Sequence, residues 1–476
     1  MERPHPSRYL QAFRWYRRSR LWVVPSVGAA AALVLAAVTL TVDNVVITNG
    51  APFPFFNGQP DTARTILSLI ATSIATLTAL VLTVVAVVIQ LATQALSPRA
   101  VRTFLQDAHS HLTLGTFVTT FTYALVILQQ FALTYDDFEA NSVTSVSVSV
   151  AFVLAVLSLG MFISYVDHIL HEARVTSIIN RIGDETRQEI LQGYRDATEA
   201  PAAVHAEVPD RDADDVVLAP HNGVVLEIDV GKLLETAERS DVLVVMVPAV
   251  GDFIPTDGRL FEVYGDHRVD RDRLLDTVVI DAERSITQDV PFGFRLLIDI
   301  AARSLSPSVN DPTTATQVVD ELHDLLRLLG SRSFPTGWHA DTGGTPRLCV
   351  PQPTWDLYVA LAFEEIRHDA RDSLQVVRRL QAALEDLLAY LPEDRHPPLR
   401  RQRRLLDETV AGSFALEAEQ QAARHADRQG IGSGGGFSSD GEDVAGGDGQ
   451  RVATPAVEAT EPVVAPSPAD TEKAPP

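Results

Sequence analysis

The sequence predicts a multi-pass α-helical membrane protein: a four-helix transmembrane bundle, then a cytoplasmic α+β domain. Three observations carry this. Four long apolar runs without charge lie within the first 166 residues. Arginines cluster on alternate connections between those runs. The remainder, about 300 residues of mixed polarity, is enough for one or two ordinary soluble domains.

A helix needs about 20 mostly apolar residues to cross the hydrocarbon core. Residues 21–42, 65–92, 113–134 and 143–166 meet that need, and none holds Asp, Glu, Lys, Arg or His. The first run is too long for a signal peptide, and no small-residue cleavage site clearly ends it, so it reads as a retained span.

The flanks orient the bundle. Arg3, Arg8, Arg14, Arg17, Arg18 and Arg20 make residues 1–20 a basic segment. Arg99 and Arg102 lie between spans two and three, and Arg174 and Arg181 follow span four. The other two connections hold Arg64 as their one basic residue, with Asp43, Asp61, Asp136, Asp137 and Glu139. Basic residues near span ends stay cytoplasmic. Both termini are therefore expected inside.

Beyond the span domain (21–166), residues 167–213 read as a helical extension and linker. Residues 214–265 read as a β-rich subdomain, with Val216–Leu218, Val224–Ile228, Val242–Val247 and Leu260–Val263 as short β-prone runs around a helical insert at Lys232–Arg239. Within it, the segment from Val250-Gly251-Asp252-Phe253 to Gly258-Arg259-Leu260 resembles half of a biotinyl- or lipoyl-type barrel-sandwich. Those domains carry a modified lysine on a hairpin tip. This chain has only Lys232, in the helical insert, and Lys473, so no cofactor is expected. Residues 266–425 read as helical, with candidates at 271–289, 291–304, 312–329, 355–392 and 397–425, and 331–354 as a loop. Residues 426–476 form an acidic tail whose Gly, Ser, Pro and acid cannot bury a core; the expectation is disorder.

Composition narrows the function classes. The formal charge of −23 argues against nucleic-acid binding, which favours a basic surface. The single cysteine, Cys349, excludes an intrachain disulfide and suits a cytoplasmic domain. No dinucleotide fingerprint, Walker loop, nucleophile elbow or Cys-x-x-Cys is present.

Several segments carry a resemblance: "IQLATQALSPRAVRTFLQD" (89–107), "LGTFVTTFTYALVIL" (114–128), "GVVLEIDVGKLLETA" (223–237), "GDFIPTDGRLFEV" (251–263) and "ERSITQDVPFGFRLLIDIAARSLSPSVNDPTTA" (283–315). Together they resemble the bacterial predicted membrane proteins of the domain-of-unknown-function 2254 family over roughly residues 14–410. Ser285 stands where that pattern leads one to expect threonine. The resemblance implies a bacterial plasma (inner) membrane protein with four spans and a cytoplasmic domain. It implies no catalytic residue.

One polar set stands out: Arg284, Gln288 and Asp289, then Arg303, Asn310 and Asp311, with Asp281, Glu283, Arg295 and Asp299 among them. Arginines beside a helix start can hold a small anionic ligand. Acid–base alternation at helical spacing is also the ordinary source of ion pairs, and that reading is favoured. In the favoured packing, helices 271–289 and 291–304 lie antiparallel and bring both halves into one pocket. Asp311 suits an N-cap and Pro312 the first helical position.

Within span two, Thr72, Thr76, Thr83 and Gln90 form one polar stripe. Such stripes serve close helix packing or line a pore in a homo-oligomer. Metal sites are not expected. His168, His171 and Glu172 lack further ligands, and Glu365-x-x-His368 lacks the second copy that di-iron bundles use. The expected partners are the lipid bilayer, a homo-oligomer and a small anion. The favoured function is a membrane protein with a cytoplasmic binding or regulatory module. An oligomeric channel gated by that domain is the alternative, and an unrecognised enzyme comes third.

Overall fold

The structure is a computed structural model and describes residues 23–49, 60–95, 108–133, 145–172, 174–196 and 204–432. Its first four helices are α1 (Val23–Asn49), α2 (Pro60–Ala95), α3 (Ala108–Leu133) and α4 (Ser145–Glu172). Each is long and apolar enough to cross a membrane.

α3 is the inner helix. Half of its apolar window is buried, against 17–22% for the other three. Against it α1 presents Ala32, Ala36, Thr39 and Asp43, all buried and spaced as one helix face. Small residues set the approach: a Cβ on Gly28 would meet the Gly115 carbonyl oxygen at 2.8 Å. That is the packing expected where lipid supplies no hydrophobic drive between helices. Between α3 and α4 the Thr120 and Ser158 hydroxyls bond at 2.8 Å. Asp43, which the sequence places in a connection, belongs to the first span and is buried.

The rest of the described chain is a helical region with two small sheets. α5 (Val175–Gly193) starts just after α4, so the helix of span four breaks before it continues. Its buried face is Ile178, Ile179, Ile182, Thr186 and Ile190. This face packs into one apolar core with α8 (Val290–Ser304), α9 (Pro312–Gly330), α10 (Trp355–Asp369), α11 (Leu374–Tyr390) and α12 (His396–Ser413). α13 (Glu417–Arg424) closes it with Ala423. Each fully buried Ile or Leu there contributes about 1.5–3 kcal/mol.

The sheets have their own core. One has five strands in the order β1 (Asp215–Leu218), β5 (Arg259–Tyr264), β3 (Leu243–Met246), β8 (Pro346–Cys349), β7 (Trp338–Ala340). The other has the order β4 (Phe253–Ile254), β2 (Gly223–Ile228), β6 (Val278–Asp281). α6 (Val230–Arg239) and the short α7 (Arg271–Leu275) cover them.

Three sequence expectations change. Residues 271–289 are not a helix: α7 is followed by β6, whose Val-Val-Ile run pairs antiparallel with β2. The stretch 331–354 is not merely loop, because β8 runs parallel to β3, Val244 facing Leu348. Residues 426–432 are docked, with Asp427 buried. The rest of the expected tail, from 433, lies outside the described residues, as do 1–22.

Candidate functional site

α8 decides how the polar set is arranged. Asp289 is its N-cap and accepts the Phe292 N–H at 3.1 Å. Arg303 sits in its last turn. Fourteen residues of helical rise separate them, about 21 Å. Arg284, Gln288 and Asp289 therefore gather at one end of α8, and Arg303, Asn310 and Asp311 at the other. The single shared pocket expected from the sequence does not form. The antiparallel pair it needed is lost with the helix at 271–289.

The first group is a junction. Arg284 grips Asp289 with two bonds, Nε to Oδ2 at 2.6 Å and Nη2 to Oδ1 at 3.1 Å. Its guanidinium carbon lies 5.0 Å from the centre of the Phe292 ring. Asp289 is buried, and burial pushes its carboxyl above the usual range although Arg284 pulls it down. Gln288 takes the left-handed conformation, φ 57°. Its backbone N–H donates to Glu189 of α5 at 3.0 Å. Its side-chain oxygen accepts the Ile228 N–H of β2, also at 3.0 Å. Gly251, φ 92°, lies on the ion pair: a Cβ there would fall 2.4 Å from Arg284 Nη2 and 2.6 Å from Asp289 Oδ2. The helical core and the sheets thus meet at residues 284–289. Arg284 gives Nε and Nη2 to Asp289, and Gln288 links Glu189 to β2, so these contacts join the two layers.

The second group is a turn. Asp311 caps α9, accepting the Thr314 N–H at 3.1 Å and the Thr314 hydroxyl at 2.6 Å. Asn310 is left-handed, φ 48°, and exposed. Its N–H donates to Ser306 O at 2.9 Å. Between the two ends Arg295 bonds Asp299 and clamps Glu365 of α10 through both terminal nitrogens. That clamp holds the Glu365 carboxyl below the usual range and occupies the acid of Glu365-x-x-His368.

A half-buried polar seam was missed by sequence reading. Between α9 and α11, His323 Nε2 lies 2.9 Å from Asp386 Oδ2, while Arg379 Nη2 lies 3.0 Å from His323 Nδ1. Arg379 also bonds Asp320, and Arg327 donates to Asp386 at 2.6 Å. Burial lowers the His323 imidazole despite Asp386. In the helical core the Tyr194 and Tyr358 hydroxyls meet at 2.6 Å, and burial raises Tyr194 to about 12. The only signal in sequence was the acid–base spacing, which also marks solvated helices.

In span two, Thr72, Thr76, Thr83 and Gln90 all face outward from the bundle. The three threonine hydroxyls donate to carbonyls four residues earlier, Ser68, Thr72 and Ala79. Among the described residues, no group of three or more His, Cys, Asp or Glu can hold a metal ion. His168 lies ring to ring with His109, centroids 4.7 Å apart; the side chains of His171 and Glu172 lie outside the described set.

The pattern for predicted membrane proteins, DUF2254, matches residues 18–386. The chain belongs to this family. Among its relatives, the uncharacterized proteins Rv1290c of Mycobacterium tuberculosis and Mb1321c of Mycobacterium bovis are each 29% identical over 424 residues. That match covers 87% of this chain and 79% of theirs. No solved structure matches it significantly. DUF2254 membership agrees with four apolar helices near the N-terminus and brings no residue with an assigned role.

Proposed function

We propose that the protein is an inner-membrane binding or regulatory module whose soluble part lies in the cytoplasm and is read through α5. One observation carries this. α5 follows span four within three residues, buries Ile178, Ile179, Ile182 and Ile190 in the helical core, and through Glu189 holds Gln288 beside β2. A shift of span four therefore has a short covalent path, across the break before α5, to the junction of the two soluble layers. The orientation rests on the arginine asymmetry.

Hydrogen exchange in nanodiscs tests the coupling. Exchange at 284–292 should change between thin and thick bilayers, and a three-glycine insertion after Arg174 should abolish that change. Identical exchange in both bilayers for the intact chain sinks the reading. Reporter fusions after Gly330 test orientation: phosphatase activity without fluorescence reverses it.

An oligomeric channel is favoured by one separate observation, the outward stripe Thr72, Thr76, Thr83 and Gln90. Outward threonines in a membrane are well used against another copy. In a Cys349→Ser background, Thr76→Cys should then form disulfide-linked dimers on oxidation; monomers alone remove this reading.

A further inference from the structure

Near one end of the bundle, Arg64, Thr65 and Ser68 of α2 face Leu125, Leu128 and Gln129 of α3 across a groove of about 610 Å³. α2 begins there and α3 finishes there, so this end is opposite the one that leads into α5. Both walls belong to helices long and apolar enough to span a bilayer.

The polar groups of the groove are unequal. The Thr65 and Ser68 hydroxyls donate to their own helix, to Asp61 O and Thr65 O, both at 2.8 Å. Arg64 is exposed, and among the described residues no ion pair or hydrogen bond holds it. The Gln129 amide is likewise exposed and unbonded among the described residues. Below them Leu125 and Leu128 give an apolar floor, Leu125 being 43% exposed. A free cation and amide at the mouth of an apolar groove fit an amphiphile with an anionic head. Guanidinium matches phosphate oxygens in two-point geometry, and hydrocarbon is the natural filling for an apolar recess at membrane depth.

We infer that this groove is a phospholipid site. Arg64 binds the headgroup phosphate, Gln129 donates its amide to headgroup oxygens, and one acyl chain lies along Leu125 and Leu128. The inference is independent of what the soluble part does. A merely interfacial arginine would attract anionic lipid in general but would retain no single molecule.

Native mass spectrometry of the full chain, released from detergent doped with phosphatidylglycerol, tests it. The unaltered protein should retain one lipid per chain. Arg64→Ala and Arg64→Glu should each lower the retained fraction about fivefold, the effect of removing one headgroup-facing cation. Leu125→Trp should lower it while leaving Arg64 in place. Melting in lipid-free detergent checks that each variant folds, which their surface positions allow. Equal retention by both Arg64 variants overturns the site, and equal retention by Leu125→Trp overturns the acyl chain in the groove. Glycerol 3-phosphate should not raise the melting temperature at lipid-equivalent concentration. If it does so as well as the lipid, the groove takes free phosphate esters and the proposal fails.

Discussion

Asp43, near the end of the first span, accepts the backbone N–H of Val146 at 2.8 Å and so caps the fourth span from another helix. Its second oxygen takes the Ser147 N–H at 3.1 Å and the Ser147 hydroxyl. Next to it Tyr123 of α3 bridges the Thr39 hydroxyl, 2.9 Å away, and the Ser147 carbonyl at 3.1 Å. Three spans are thus tied by one buried polar knot, where each orphan N–H of a helix start would otherwise go unpaired.

Removing that cap should be costly. Asp43→Ala leaves two backbone donors and a hydroxyl buried without a partner, a loss of about 2–4 kcal/mol. Asp43→Asn keeps one acceptor oxygen and should lose less than half as much. Melting of the purified variants in one detergent reads both; an unchanged Asp43→Ala would show that the knot adds nothing.

Gly251→Ala should separate the two soluble layers. Its Cβ would strike Arg284 and Asp289, and its φ of 92° adds strain of about 1–3 kcal/mol. Gly344→Ala is the control, because Gly344 has φ 84° but nothing within 4 Å of its Cβ. Limited proteolysis should cut the first variant within 204–289 and spare the second. Equal resistance in both would mean that the ion pair simply shifts aside.

How much of this was legible in the sequence depends on distance along the chain. The four long apolar helices were readable because hydropathy is a local sum. Asp311 and Pro312 announced α9 for the same reason, since a cap acts within three residues. Asp43 was not legible: it stands just past an apolar run, and only the fold brings it to Val146, about a hundred positions later. β8 was hidden likewise, its partner β3 being as remote. The helix expected at 271–289 failed on Val278–Asp281, where a run of three β-branched residues suits a strand, and at Gln288, whose positive φ ends any helix. The candidate set falls into two groups, because spacing cannot say that α8 stands between its halves.

The Asp289 carboxyl sets a direction for pH dependence. Burial holds its folded-state value above the unfolded one. Its contribution to stability is therefore fully present below the unfolded value, in the ordinary carboxylate range. It is lost as pH rises through the raised folded value. The melting difference between the unaltered protein and Asp289→Asn should shrink as pH rises from the ordinary carboxylate range. Glu365, held low by Arg295, should do the reverse: its contribution is present above the unfolded value and fades as pH falls through the folded one. If the advantage over Asp289→Asn grows with pH, Arg284 outweighs burial.

The C-terminal edge of the fold gives the sharpest truncation test. Composition suggests that residues 430–476 are dispensable, yet buried Asp427 accepts the N–H groups of Gln429, Gly430 and Gly432 at 3.0, 3.1 and 2.7 Å. Arg378 of α11, also buried, donates to Gly432 O at 2.7 Å and to His425 O at 3.2 Å. Gln375 donates to Gly430 O at 2.6 Å. Ending the chain after Arg428 strips Asp427 of three donors and Arg378 of one acceptor. The loss should be about 3 kcal/mol, the scale of buried charged groups left short of partners. Ending it after Gly432 keeps all these contacts and should melt like the full chain. Asp427→Ala, with the chain intact, should reproduce most of the loss at Arg428. If both truncations melt alike, the 425–432 turn rests on α11 without holding it.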